Sequence, residues 1–339
     1  MKAEYKSKLN LENRVKLQEV IPLDTPFLLY ADPSSLCNFR CEFCPTGHSD
    51  LVKCSGYRRQ IMNMEVFKKL IDGLAEFPRP IKVLRMNKVG EPLINPDIVE
   101  MVRYAKNGLR VEKIDFATNA GLLDQNISEG LVKAGLDRLN VSIEGINNEQ
   151  YHRYCGVTIE FEKIVEQIKY FYRIKGNCEL VIKIPSNYIS AQDIELFKDI
   201  FGDYCDRIFV ENLTSIWPNF NIDKASDNIK ISNESQYGEE VKDRQICSYI
   251  FYSMAVNSDG TVSACCPDWE QKLVIGDLHK NSIYEIWNSE RLKLLQLQHL
   301  KGERNKNPIC ADCGHIQYCQ VDDIDAYAHI ILANMERKA

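Results

Sequence analysis

"FLLYADPSSLCNFRCEFCPTG", residues 27–47, runs a short apolar stretch into a loop that holds Cys37, Cys41 and Cys44 in a C-x3-C-x2-C spacing. Residues 27–34 read as a strand, so the three thiols follow directly from a strand end. A closed structural zinc site takes four ligands, usually as thiol pairs with a distant second pair. A [4Fe–4S] cube has four iron corners, with cysteine thiolates as its usual ligands. Three local cysteines cover three corners and leave one iron open.

Outward from this loop, strand and helix signals alternate. Asn63 is the expected N-cap of a helix with apolar residues at Val66, Phe67, Leu70, Ile71 and Leu74. A strand at 81–86 is followed by a helix with Asn95 as cap, Pro96 at its first position and Gly108 as its stop. Strands at 113–118 and 138–143 flank a helix near 127–134. A helix over 159–176, a strand over 179–184, a helix opening at Ser190…Asp193 and a strand over 206–211 complete the series. Six strands alternating with helices imply parallel βα units with right-handed crossovers. The expected fold is α/β, a partial (βα)6 TIM-like barrel; an open doubly wound sheet is the competitor.

The alternation stops after Glu211. Residues 213–246 are polar, punctuated by Pro218, and read as a linker or lid. From Cys247 the texture changes. "YIFYSMAVNSDGTVSACC" reads as a hairpin turning at Ser258-Asp259-Gly260, followed by one helix over 281–300, a "CADCGHIQYC" loop and a terminal helix from about 322. The division expected is an N-terminal extension, 1–25, with an amphipathic preface and a turn at Pro22; the barrel, 26–212; the linker, 213–246; a small cysteine-rich hairpin/helix domain, 247–320; and a C-terminal helix, 321–339.

Composition narrows the class. Of 339 residues, 45% are hydrophobic and 27% charged, as in ordinary globular chains, and the net charge of −6 gives no basic footprint for a nucleic-acid backbone. No apolar run approaches the roughly 18 residues of a membrane span, and the N-terminus lacks a signal-peptide core. A cytoplasmic, non-membrane protein is expected. Thirteen cysteines, an odd number, in a reducing compartment argue for metal binding rather than disulfides.

The cysteine loop resembles the signature of the radical S-adenosylmethionine superfamily, C-x3-C-x-(aromatic)-C, with Phe43 in the aromatic slot. That resemblance implies a [4Fe–4S] cluster on Cys37, Cys41 and Cys44, its open corner chelated by S-adenosylmethionine (AdoMet). "VGEP", 89–92, is similar to the family's G-G-E-P turn, which implies cofactor contacts at Gly90, Glu91 and Pro92, with Val89 in place of the first glycine. "ATNA", 117–120, stands where relatives have T-N-G, and "SIEG", 142–145, matches S-[IL]-[DE]-G. The resemblance thereby adds Thr118, Asn119, Ser142 and Glu144 as cofactor contacts, all at C-terminal strand ends, the barrel face where chemistry concentrates. Relatives continue H-D-x-x-R-G; here "YHRYCGV" puts Cys155 in the arginine slot, with Arg153 the nearest replacement.

A second set, Cys247, Cys265, Cys310 and Cys313, forms C-x17-C…C-x2-C. Four thiolates fill a site, and taken alone the pattern favours structural zinc. The surrounding "DGTVSAC", "IGDLHKNSIYEIWNSERLK" and C-x2-C-x5-C resemble the SPASM/twitch extension of radical AdoMet enzymes, which implies an auxiliary [4Fe–4S] cluster instead. The full SPASM pattern carries seven cysteines for two clusters; here Asp323 stands in the slot after Cys319, which implies one. Either Cys313 or Cys319 completes it, and Cys266 is the other local thiol. The spacings are closest to the twitch form in a radical dehydrogenase of aminocyclitol biosynthesis.

What the resemblance implies functionally is a 5′-deoxyadenosyl radical that takes hydrogen from a small polar substrate, such as a sugar, aminocyclitol or polyol. Oxidation of an alcohol to a ketone would use the auxiliary cluster as electron acceptor, with a flavodoxin- or ferredoxin-type donor supplying the first electron. Two alternatives stay open. One is a radical epimerase, which needs a thiol hydrogen donor from among Cys54, Cys155 and Cys266; the other is a maturase of ribosomal peptides. Trp269 and Trp287 read as packing residues.

Overall fold

The computed structural model describes residues 1–7 and 14–337. Of the amphipathic preface expected before Pro22, residues 8–13 lie outside the described residues, and the described part holds a helical turn at Leu17–Val20. Among the described residues, ten strands form one sheet: β1 (Glu4–Tyr5), β2 (Leu28–Ala31), β3 (Ile81–Arg85), β4 (Val111–Thr118), β5 (Arg138–Ser142), β6 (Glu179–Pro185), β7 (Arg207–Glu211), β8 (Ser253–Val256), β9 (Thr261–Ser263) and β10 (Val274–Asp277). Their order is β1-β7-β6-β5-β4-β3-β2-β8-β9-β10. From β2 to β7 each strand pairs in parallel with the next in the chain. A doubly wound sheet reverses its strand order at a switch point; this one does not, and it is the wall of a partial barrel.

The wall extends past the six expected strands at both edges. β1, from the N-terminal extension, pairs in parallel with β7, and β8 pairs in parallel with β2. The β8–β9 hairpin is therefore continuous with the barrel sheet.

Alternation along each strand fixes what faces where. Ile114 and Phe116 of β4, Leu139 and Val141 of β5, and Leu180, Ile182 and Ile184 of β6 are buried in the main core, with Val102, Leu131 and Ile168 of the crossover helices. Helix Met64–Gly73 buries Val66, Phe67, Leu70 and Ile71, and the Asn63 side chain accepts the Val66 N–H at its start. The opposite strand face carries charged and polar residues, among them Arg138, Asn140 and Ser142 of β5 and Glu179 and Lys183 of β6. Tyr30, Arg85, Asp115, Arg138 and Glu179 are successive cross-strand partners.

Several local expectations are corrected. Asn95 does not cap its helix, which runs Ile98–Asn107 with Asp97 at the N-cap. Asn95 is buried and its amide donates to the carbonyls of Pro33 and Met62, both at 2.9 Å, holding two loops together. The helix expected over 281–300 is two, Ile283–Trp287 and Glu290–Leu300, because the Ser289 hydroxyl accepts the Leu292 N–H and starts a new helix. Residues Tyr249–Tyr252 form a helical turn ahead of β8 rather than strand. The terminal helix begins at Ala328, not near 322. Asp325 is engaged elsewhere: its carboxylate accepts the backbone N–H groups of Gln245 and Ile246 at 2.8 and 2.9 Å.

Candidate active site

The loop after β2 is fastened to helix Asn148–Cys155 by backbone: Arg40 N–H donates to Cys155 O at 2.7 Å and Glu42 N–H to Tyr154 O at 2.9 Å. Phe39 is buried edge-on against Tyr151, ring centres 5.7 Å apart. With its backbone pinned, the loop gathers Cys37, Cys41 and Cys44. The Asn119 amide lies 3.7 Å from Cys37 Sγ, Cys44 Sγ lies 3.2 Å from the Thr46 hydroxyl, and Cys41 has the Cys155 thiol as side-chain partner. Burial pushes the Cys37 thiol up to about 12, and burial also raises Cys41 and Cys44, although the Cys155 contact leads for Cys41. Buried thiolates need a cation beside them, and metal coordination supplies it.

The turn expected to meet AdoMet is pressed against this loop. A methyl group on Gly90 would stand 1.9 Å from Ser34 O and 2.6 Å from Leu36 O. Only glycine lets the two backbones touch. Glu91 and Pro92 follow, but the Glu91 carboxylate points into the protein. It accepts the Thr118 hydroxyl at 2.7 Å, the Asn119 N–H at 2.8 Å and the Leu93 N–H at 3.0 Å. Burial nevertheless pushes its carboxyl up to about 7. Thr118, Asn119 and Glu91 are thus brought together as one knot. Val89 is buried with Trp269, Val52 and Tyr57.

Ser142 ends β5, and Glu144 lies just beyond it, near charges the sequence reading did not single out. Lys183 of β6 pairs with Glu211 of β7, and the Gln236 amide donates to the second Glu211 oxygen at 3.0 Å. Tyr188 donates its hydroxyl to Glu144 Oε2 at 3.3 Å. Burial pushes the Glu144 carboxyl up to about 7; Lys183 opposes that shift and Glu211 adds to it. Arg153 is turned elsewhere, donating to Asn228 Oδ1 of the linker at 2.7 Å.

The second thiol set meets around one cavity. Cys247, Cys265, Cys310 and Cys313 all line it, with polar side chains that include His299, Arg304 and Asp268 and with apolar ones. Cys319 does not: its sulfur lies 3.0 Å from Gln236 Oε1. Of the thiols named as hydrogen donors, Cys54 is exposed on helix Ser49–Ser55, Cys155 is buried against Cys41, and Cys266 has the Tyr30 hydroxyl as side-chain partner. Among the described residues, no three His, Cys, Asp or Glu side chains converge at the distances of a single-ion site.

The two thiol sets are physically joined. Lys88, buried beside the Gly90 turn, donates to Asn257 Oδ1 at 2.6 Å and to Asp268 O at 2.7 Å. Asp32, at the end of β2, accepts the Ser258 hydroxyl at 2.8 Å. The linker crosses both: Phe220 packs on His48 with ring centres 5.2 Å apart, Ser226 bonds Glu42, and a methyl on Gly314 would meet Ser215 O at 1.9 Å.

Residues 32–185 match the model of the radical SAM superfamily, and residues 247–314 match SPASM, an iron–sulfur cluster-binding domain. The chain is a member of the radical SAM superfamily with a C-terminal SPASM domain. It is similar to the tungsten-containing aldehyde ferredoxin oxidoreductase cofactor-modifying protein of Pyrococcus furiosus, 26% identical over 346 residues, covering 89% of this chain and 92% of that one. The AdoMet-dependent heme synthase of Methanosarcina barkeri is 33% identical over 147 residues, 43% of this chain and 39% of the relative. Among solved structures, BtrN in complex with AdoMet and 2-DOIA aligns over 85% of this chain and 92% of its own at 16% identity, TM-score 0.53. SuiB of Streptococcus suis bound to S-adenosylmethionine aligns over 91% and 76% at 17% identity, TM-score 0.60. At such identities these two establish the fold.

The family brings a [4Fe–4S] cluster and AdoMet to the barrel and a further iron–sulfur cluster to the C-terminal part. The residues fit these groups. Both donor sets are sulfur only, the Gly90 cradle admits no side chain, and the four-thiol cavity has a buried histidine nitrogen, His299 Nε2, with no protein partner. No described helix is long and apolar enough to cross a membrane.

Proposed function

We propose that this chain is a radical AdoMet oxidoreductase that oxidises an alcohol carbon of a small polar substrate to a ketone. Cys37, Cys41 and Cys44 would hold the AdoMet-binding cluster, and Cys247, Cys265, Cys310 and Cys313 an auxiliary [4Fe–4S] cluster. When bound, the cofactors supply a 5′-deoxyadenosyl radical to take the hydrogen atom and a second cluster to take the electron that follows it. The backbone of Gly90, Glu91 and Pro92, with Ser142, would orient AdoMet.

The observation that carries the reading is the buried polar cluster at the C-terminal ends of β5 to β7: Glu144, Lys183, Glu211, Gln236 and Tyr188. Buried charges at a barrel mouth suit a ligand that brings its own hydroxyl or amino groups. Lys183 Nζ and the Tyr188 hydroxyl are donors to substrate oxygens. Glu144, its carboxyl raised to about 7, can accept the proton released as the alcohol becomes a ketone. A flavodoxin- or ferredoxin-type protein would deliver the first electron.

A second reading rests on the relative matched along 92% of its length, described as a cofactor-modifying protein. On that reading the polar substrate of this chain would be the organic part of a metal cofactor. One experiment separates these readings from epimerisation and peptide maturation. Anaerobically reconstituted protein is incubated with reductant, AdoMet and panels of polyols, aminocyclitols, cofactor precursors and peptides, and 5′-deoxyadenosine and product mass are scored. Loss of two hydrogen masses from a polyol supports the proposal. Unchanged mass with solvent deuterium uptake, or a modified peptide, overturns it.

A further inference from the structure

The cavity shared by Cys247, Cys265, Cys310 and Cys313 is walled mostly by apolar side chains, among them Ile250, Leu273 and Ile309. Three nitrogen-bearing side chains interrupt that wall, His299, Arg304 and His315, beside Tyr249 and Asp268. His299 is wholly buried, and its Nδ1 accepts the backbone N–H of Cys247 at 3.3 Å. A ring nitrogen that accepts carries no hydrogen, so the ring is neutral and its hydrogen sits on Nε2. Nε2 has no hydrogen-bond partner in the protein. Arg304 uses Nη1 on the carbonyl of Cys310, while its buried Nε also lacks a partner.

Buried donors in folded proteins are almost always satisfied, and one that is not asks for an absent acceptor. Here two such donors border one cavity that holds four thiols, and the Asp268 carboxylate beside them already accepts the Ser263 hydroxyl and the Lys272 and Leu273 N–H groups. Thiolate and sulfide sulfurs are the acceptors that an iron–sulfur cluster would bring. We propose that His299 Nε2–H and Arg304 Nε–H donate hydrogen bonds to the sulfurs of the auxiliary cluster and raise its reduction potential. Accepting an electron adds one negative charge to the cluster. Hydrogen-bond donors and a guanidinium cation stabilise that reduced form more than the oxidised one. The rest of the wall is largely apolar, so little solvent is present to do the same. His299 and Arg304 are thereby positioning residues for electron acceptance. The inference rests on the ligand assignment proposed above, but not on which substrate is oxidised.

The test uses the full chain with Cys37, Cys41 and Cys44 replaced by alanine, so that only the auxiliary cluster contributes to an EPR-monitored reductive titration. His299→Leu is expected to make the midpoint more negative, Arg304→Met to move it the same way, and His299→Gln, which keeps an N–H donor of similar reach, to restore most of the parent value. A His299→Leu midpoint equal to the parent's overturns the inference. If the leucine variant assembles no cluster, the parent chain decides, grown with histidine labelled with heavy nitrogen. His315 also lines the cavity, so the labelled chain carries His315→Gln. A nitrogen coupling to the reduced cluster in pulsed EPR then supports the inference, and its absence overturns it. A chain that binds no second cluster overturns this inference and the ligand assignment together, whereas an unmoved midpoint overturns this inference alone.

Discussion

Cys265 and Cys266 are consecutive in the chain, yet Cys265 lines the four-thiol cavity while Cys266 has the Tyr30 phenol of the barrel wall as its partner. The two thiols serve different surroundings. Cys265→Ser is expected to lower iron from about eight to about four per chain, the content of one cube, while Cys266→Ser keeps about eight. The same contrast holds for Cys313→Ser, which loses the second cluster, against Cys319→Ser, which keeps it. Iron and sulfide analysis with EPR reads the outcome. Iron lost from Cys319→Ser but retained in Cys313→Ser would sink the assignment.

Gly90→Ala places a methyl 1.9 Å from Ser34 O, a backbone atom that cannot swing aside. Overpacking of this kind costs about 1–3 kcal/mol. The shift it forces falls on the turn and on the loop of Cys37 together, so AdoMet affinity is expected to drop on the order of tenfold or more. Urea denaturation and equilibrium binding of AdoMet to reconstituted protein measure both. Native values for both would refute the close-approach argument.

Glu144 titrates in a direction opposite to most carboxylates. Its folded value is raised to about 7 from an ordinary 4.5. Between those values the folded chain keeps a proton that the unfolded chain releases, so stability falls as pH rises through this window and levels off above it. The contribution is about 3 kcal/mol, at about 1.4 kcal/mol per pKa unit. Glu91, also raised to about 7, adds a slope of its own. Glu144→Gln should therefore flatten, not abolish, the decline in urea midpoint of the cofactor-free chain between about pH 5 and pH 8. An unchanged slope would count against burial as the cause.

Arg85 and Asp115 pair through two hydrogen bonds of 2.7 Å on the inner face of the barrel, with side chains only 18% and 5% exposed. Arg85→Met removes one half of a buried pair and is expected to cost about 3 kcal/mol, the low end for such losses. Arg138, 4.0 Å from Asp115, keeps the penalty from rising further. Adding Asp115→Leu should recover much of the loss, because the stranded charge goes too. A double variant no more stable than the single would show that packing, not charge, dominates there.

Much of this was legible along the chain. The strand that ends in the Cys37 loop, the βα alternation and the G-E-P turn are local patterns, and each lies where the spacing puts it. The misreadings have local causes of another sort. A helix divided by the Ser289 cap and an Asn95 amide given to two loops depend on which hydrogen-bond partner wins, and apolar periodicity carries no information about that.

The sequence by itself determined the chemistry that can occur here, because sulfur ligands a few residues apart stay close in any fold that keeps their loop. Only the tertiary structure decided what surrounds that chemistry. Parallel register carries Lys183 beside Glu211 across separate strands, and the pairing of β8 with β2 joins the hairpin to the barrel edge from which the first thiol loop departs. His299 reaches Cys247 across 52 residues of chain. Contacts of that kind are set by packing and strand pairing between distant segments, and no spacing along a single chain records them.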